Sequence, residues 1–374
     1  MAGIYIHIPF CKQKCHYCNF YSLTSEKYRS VFIDVLIKEI ALQKNYLKGE
    51  EIETIYFGGG TPSLLSSYEI KRIIDNLALF HNINTDAEIT LEANPDDITR
   101  EKITELRKTP VNRFSIGIQS FFDEDLKYLN RVHSGREAGL SVKTVLDAGF
   151  ENMSIDLIYG IPTLSNEQWQ ANIEKFFSFG IPHLSSYALT VEPKTALEVL
   201  IRKGKMKNVD EEKAVRQFRI LMRTMKEKDF IHYEISNFSR EGFYSKHNRS
   251  YWQGKKYLGL GPSAHSFDGN SRQWNISNLS KYIEAVNAGG KIVEKEILTK
   301  EQKYNEYVMT SLRTIWGTNT KYILEEFGKT LENHYFKGVR KHIKAGFVMQ
   351  DNTVFRLTDR GKIFADGIAS DLFI

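Results

Sequence analysis

The sequence predicts an α/β protein in which a partial, TIM-like (β/α)6 barrel precedes a C-terminal α-helical, winged-helix-like domain. Three observations predict it. Short apolar runs alternate with segments of helical period over residues 1 to about 190, the pattern of parallel βαβ units. About six such units fit, short of the eight that close a TIM barrel. From Thr299 the alternation gives way to three helical segments and a hairpin.

Residues 3–8 read as the first strand, which delivers a cysteine loop at its C-terminal end. Val31, Val35, Leu36, Ile40 and Leu42 recur at helical spacing and predict a helix over 26–46. A second strand, 52–57, runs straight into Gly58-Gly59-Gly60-Thr61-Pro62. Strands over 88–93, 113–118, 153–158 and 183–189 then alternate with helices over 100–107, 136–148 and 167–179. The polar motifs fall at C-terminal strand ends, where chemistry collects in such sheets.

A charged helix over 210–228 carries Val215, Phe218, Leu221, Met222 and Met225 on one face, a stripe suited to core packing. Helices over 304–314, 321–327 and 334–345 follow, the last stopped by Gly346. Residues 347–349 and 354–357 flank Asp351-Asn352 as a hairpin, and Thr358 to Lys362 opens a final helix. A DNA-recognition helix would cluster basic and amide groups toward a groove, and 334–344 offers only Lys337, Arg340, Lys341 and Lys344. No nucleic-acid partner is expected. The expected domains are a barrel over 1–235, a connecting segment over 236–298 and a helical domain over 299–374.

Composition places the chain among soluble globular proteins, with 41% hydrophobic and 26% charged residues and no low-complexity tract. No apolar run approaches the roughly 20 residues of a membrane span, and the N-terminus lacks the pattern of a secretory signal. A cytoplasmic location is expected, where thiols stay reduced. The formal charge of +5 is scattered rather than blocked, so it bears on solubility, with at most a weak preference for acidic partners such as a propionate-bearing tetrapyrrole.

All three cysteines, Cys11, Cys15 and Cys18, lie within eight residues. That clustering points to ligation rather than packing, and an odd count argues against a disulfide framework. A structural zinc site would need a fourth ligand, which His16 or His7 could supply. A [4Fe–4S] cluster normally takes four cysteines, so three would leave one iron for an exogenous ligand. The glycine run after the second strand has neither the spacing of a dinucleotide loop nor the lysine of a P-loop. It lets backbone approach a ligand closely.

The Cys-x3-Cys-x2-Cys spacing, entered from Tyr5-Ile6-His7-Ile8-Pro9-Phe10, resembles the radical S-adenosylmethionine (SAM) superfamily. Six ordered segments narrow the resemblance to the oxygen-independent coproporphyrinogen III oxidase family, HemN and its relatives. They are residues 7–11, 58–62, Leu91-Glu92-Ala93-Asn94-Pro95, residues 115–120, Asn130-Arg131-x-His133 and residues 156–162. The resemblance implies a [4Fe–4S] cluster whose fourth iron holds SAM, and cleavage of the SAM sulfonium to a 5′-deoxyadenosyl radical. It implies that Tyr5, Tyr17 and Gly59, with Gly60 and Thr61, line the cluster and methionine end. Glu92 would meet the amino or ribose groups, Gln119 and Asp156 the ribose, Arg131 the carboxylate and Thr190 the adenosine.

Two features separate this chain from the oxidase pattern. The oxidases carry a further cysteine two residues after the third, where this sequence has Phe20, and they extend farther at the N-terminus. His247-Asn248-Arg249-Ser250-Tyr251-Trp252 instead matches the HNxxYW motif of the HemW group of haem chaperones. The resemblance therefore implies haem as a third cofactor, with His247 as candidate iron ligand and His265 second. Expected partners are haem or porphyrin, haem-acceptor apoproteins, an electron donor and a possible second copy of the chain. Coproporphyrinogen decarboxylation is the alternative function, and a structural zinc protein the second.

Overall fold

A computed structural model describes every residue except Glu26 and Lys291. Six parallel strands run in sequence order across one sheet: β1 (Ala2–Ile8), β2 (Ile52–Gly59), β3 (Ile83–Ala93), β4 (Arg113–Gln119), β5 (Met153–Tyr159) and β6 (His183–Ala188). Each is a near-continuous buried run, as a parallel strand covered on both faces requires. Helices α1 (Arg29–Leu42), α2 (Ser67–Phe80), α3 (Arg100–Leu106), α4 (Asp123–Leu129), α5 (Gly135–Asp147) and α6 (Asn166–Ser178) occupy the crossovers. Reciprocal capping boxes at Ser66/Glu69, Ser134/Glu137 and Ser165/Gln168 start three of them.

The first helix is shorter than the apolar spacing predicts. Glu26, the first residue of the expected span, lies outside the described residues, and the helix ends at Leu42, before a turn in which Lys48 and Gly49 take positive φ. Val31 and Leu42 are exposed rather than core, while Val35, Leu36 and Ile40 are buried as expected.

After α7 (Ala196–Arg202) and α8 (Glu211–Glu227), the chain adds strands to both edges of the sheet. On one side β7 (Ile231–Glu234) and β8 (Asn237–Ser239) run antiparallel to β6. Helix α9 (Lys246–Trp252) then carries the HNxxYW motif across to the other side. There β9 (Tyr257–Leu260) pairs in parallel with β1, followed by antiparallel β10 (His265–Phe267), β11 (Ser271–Asn275) and β12 (Val293–Ile297), with α10 (Leu279–Asn287) between the last two. The segment expected to connect two domains thus contributes five strands and the motif helix to the barrel sheet. Its buried side is polar: Ser271, Gln273 and Asn275 face inward, and Asn275 with Tyr282 and the Gly261 amide hydrogen-bonds Glu39, whose pKa burial raises to about 7.

The C-terminal region has its own core, built on Tyr304, Val308, Tyr335, Val339 and Phe355. Helices α11 (Lys300–Leu312), α12 (Thr320–Phe327) and α13 (Lys329–Lys344) pack on a three-stranded sheet of β13 (Thr318–Asn319), β14 (Val348–Asp351) and β15 (Val354–Leu357), ahead of α14 (Asp359–Lys362) and α15 (Ala365–Ser370). This is the winged-helix outline, with Asn352 left-handed in the hairpin. It docks on the barrel where Ile315 N donates to Tyr233 O (3.0 Å) and the Arg313 guanidinium covers Trp252 at 5.4 Å. Among the described residues, no helix is long and apolar enough to cross a membrane.

Candidate functional site

The cysteine loop follows β1 and is held by backbone-directed contacts. Cys11 N donates to Leu23 O (2.9 Å) and Leu23 N to Pro9 O (2.8 Å). Asn130, left-handed at the end of α4, donates from Nδ2 to Lys14 O (2.8 Å) and accepts from Gln13 Nε2 (3.0 Å). His16 N donates to Leu129 O (3.1 Å), and Lys12 pairs with Asp96 (2.9 Å) and Asp97. All three thiols are free and half-buried, and all three line one cavity of about 420 Å³ at the C-terminal ends of the strands.

The glycine run forms the opposite lip. Gly60 N donates to Ile8 O (2.7 Å) and Thr61 N to Phe10 O (2.7 Å), lashing the end of β2 to the start of the cysteine loop. A Cβ on Gly60 would sit 2.5 Å from Phe10 O and 3.0 Å from Cys11 Sγ, and Gly59 has φ +103°, so both positions require glycine.

Acidic and basic groups converge deeper in the cavity. Glu92 ends β3 and accepts a hydrogen bond from Tyr56 OH (2.8 Å); burial, opposed by that bond and reinforced by nearby Asp156, raises its pKa to about 7. Asp156, on β5, accepts from Ser115 Oγ (3.2 Å) and is raised by burial to about 6. The Arg131 guanidinium is buried, donating to Asn94 Oδ1 (2.7 Å) and Gly117 O (2.8 Å) and reaching Cys15 Sγ at 3.3 Å. Its Nε has no partner. Gln119 joins the wall from a left-handed backbone (φ 67°) beside a register shift in β4, a strained geometry that re-aims a side chain at a ligand site.

The structure therefore gathers Cys11, Cys15, Cys18, Tyr17, Gly59, Gly60, Thr61, Glu92, Gln119, Arg131, Asp156 and Thr190 around one space. Two expected site residues are not in its wall. Tyr5 stands behind Gly58, its hydroxyl 3.2 Å from His7 Nδ1. His247 is 1% exposed, with Nδ1 bonded to Thr54 Oγ1 (2.8 Å) and Nε2 to Tyr251 OH (2.9 Å). An imidazole with both nitrogens occupied and no exposed edge is not presented to an iron, so the assignment of His247 as haem ligand is corrected. Sequence reasoning gave no role to Asn94, which orients Arg131 and donates to Thr61 Oγ1 (3.2 Å), although it sits inside a motif at a strand end.

A mononuclear zinc site does not emerge. His7 spends its nitrogens on Tyr5 OH and on Tyr21 O (2.8 Å), and His16 Nδ1 bonds Tyr128 O (3.1 Å). Among the described residues no three cysteine, histidine or acidic groups are gathered as one ion would require.

Residues 5–176 match the radical SAM superfamily and residues 298–364 the HemN C-terminal domain. The chain is 32% identical to the haem chaperone HemW of Bacillus subtilis over 98% of both chains, and 33% identical to that of Lactococcus lactis over 96% of this chain and 93% of the other. The chain belongs to the HemW family of radical SAM proteins. Its fold matches the coproporphyrinogen III oxidase HemN of Escherichia coli, with a TM-score of 0.85 over all of this chain and 90% of the other, at 22% identity.

Radical SAM membership implies a [4Fe–4S] cluster and SAM, and the cavity of this HemW-family chain suits both. It offers three free thiols, an orphaned guanidinium nitrogen suited to a carboxylate, and two carboxyls suited to an amine or a ribose diol. The raised carboxyl pKa values make a prediction. Between about pH 4.5 and 7 the folded chain binds more protons than the unfolded one, so ligand-free stability falls as pH rises through that window. A cationic ligand favours the ionised carboxylates and reverses that preference. SAM affinity is expected to climb from pH 6 to pH 8, and Glu92→Gln to flatten the climb, as read by equilibrium dialysis.

Proposed function

We propose that this protein binds haem and delivers it to haem-requiring proteins, and that it carries a [4Fe–4S] cluster on Cys11, Cys15 and Cys18 with SAM beside it. The reading is carried by end-to-end similarity to relatives named as haem chaperones. When bound, the cluster supplies a redox electron and an open iron position. The chain's own residues orient the ligand: Tyr17, Gly59, Gly60 and Thr61 face the methionine end, Arg131 Nε the carboxylate, Glu92 the amine or ribose, Gln119 and Asp156 the ribose, and Thr190 the adenosine. Phe20, 62% exposed at the rim, stands where an oxidase would have a further thiol.

His265 is the haem ligand in this reading. Of the ten histidines it alone is exposed, and it pairs across β10 and β11 with Trp274, whose ring lies 6.2 Å away at 30°. Desolvation by its neighbours, together with Arg272, lowers its pKa, which favours the neutral, ligating imidazole. Acceptor proteins, an electron donor, a cytoplasmic setting and a homodimer belong to the same proposal.

Soret titration of the reconstituted wild-type protein with haem, beside His265→Ala and His247→Ala, tests it. Saturable wild-type binding is expected, weakened roughly tenfold or more by the loss of one axial ligand in His265→Ala and unchanged in His247→Ala. A wild-type protein that takes up no haem, or that converts coproporphyrinogen III anaerobically, would sink the chaperone reading.

A further inference from the structure

The HNxxYW helix reaches the cavity from behind. The His247 ring stacks on Tyr56 at 4.9 Å and 25° and lies 6.4 Å from Tyr5 at 29°. Tyr56 in turn donates its hydroxyl to Glu92. Thr54 and Tyr251 fix the imidazole in plane through its two nitrogens, and Gly3 leaves the room: a Cβ there would lie 3.3 Å from the ring and 2.8 Å from Thr54 Oγ1. A second link is backbone-mediated. His247 N donates to Glu88 Oε1 (3.1 Å), and Glu88 lies four residues before Glu92 on β3, facing the same side.

We propose that His247 is a positioning residue of the SAM site: its ring fixes the Tyr56 phenol, and the phenol fixes the Glu92 carboxylate at the cavity wall. The arrangement explains why a motif helix some 190 residues after β2 is buried against that strand with no imidazole atom left for an outside ligand. It also explains a phenol buried at the floor of a polar cavity. Tyr56 is 8% exposed, and its one hydrogen bond to Glu92 is the contact that opposes burial in setting that carboxyl's charge. The other groups bearing on Glu92 are Asp156 from β5, the Gly59 amide from β2, Tyr5 from β1 and Tyr251 from α9, none of which Tyr56→Phe alters.

The inference rests on the cavity being the SAM site, and wild-type SAM binding checks that separately: if the wild type binds no SAM, the site assignment fails before the role of His247 is reached. SAM dissociation constants are measured by equilibrium dialysis from pH 6 to 8 on reconstituted wild type, Tyr56→Phe, His247→Ala and the double variant, alongside iron content and haem affinity. Each single substitution is expected to weaken SAM roughly tenfold, the size of one hydrogen bond to a carboxylate, and to move the pH midpoint upward. The double variant is expected to be no weaker than the worse single one, because the two residues act in series. Iron content and haem affinity stay at wild-type values. Should His247→Ala not fold, Thr54→Val, which releases the imidazole without removing it, carries the test with the same expectation. Unchanged SAM affinity and midpoint in either arm overturns the proposal, as does loss of haem binding in His247→Ala with SAM binding intact.

Discussion

Cys15→Ala is expected to reduce the iron content of anaerobically reconstituted protein from about four atoms per chain to background and to abolish its visible absorption. A [4Fe–4S] cluster held by two thiolates has lost half of the usual protein ligand set, and neither His7 nor His16 has a nitrogen free on the cavity side to replace the third. The chain should remain folded. Its loop is braced through Leu23 O, Leu129 O and Lys14 O, none of which involves a thiol. The lost contact is that of Arg131 Nη1 to Cys15 Sγ, and that side chain keeps Asn94 and Gly117. Iron assay and circular dichroism on the same preparation separate the outcomes. Retained iron with an unchanged spectrum would refute Cys15 as a ligand, and lost helicity would make the effect structural.

Gly60→Ala is expected to cost about 2–3 kcal/mol, the range for forced overpacking, and to impair cluster assembly although no ligand is touched. The added methyl would meet two backbone carbonyls, Phe10 O at 2.5 Å and Ile8 O at 2.8 Å, as well as Cys11 Sγ at 3.0 Å. Carbonyls at the mouth of a strand cannot rotate away as a flexible side chain can. The loop must therefore lift, breaking the Gly60 and Thr61 amide bonds that set the height of Cys11. Thermal denaturation together with iron stoichiometry checks this. A wild-type melting temperature with full iron loading would show that the two loops are not in register as described.

The barrel was legible because parallel strands buried on both faces read as apolar runs, and turn chemistry marks their ends. The cavity residues were legible for a related reason, since each sits at the end of such a run. What escaped has a physical explanation too. The strand Ser271–Asn275 buries Ser271, Gln273 and Asn275, so its inward face carries no hydrophobic alternation, and the polar partner that satisfies it, Glu39, lies 236 residues from Asn275. The helix Asp123–Leu129 was passed over between two motifs, although its three leading acids and the asparagine that ends it were a readable signal. The direction of the His247 ring had no local signature. It is set by Thr54, on a strand nearly 200 residues earlier.

The position of β1 has a consequence for how the chain is made. This strand is the first to be synthesised, yet it lies in the middle of the sheet, with β2 on one side and β9 on the other: Gly3 pairs with Tyr257 and Ile6 with Leu260. On the ribosome its second edge stays unpaired until some 250 further residues have emerged, and non-local pairings of this kind form late. Throughout that interval the cysteine loop hangs from a half-finished sheet, and the space behind Tyr56 awaits the helix that will carry His247. Metal loading is thereby placed after release of the finished chain, and any truncation before residue 260 leaves an open seam beside the cysteines rather than a smaller working barrel.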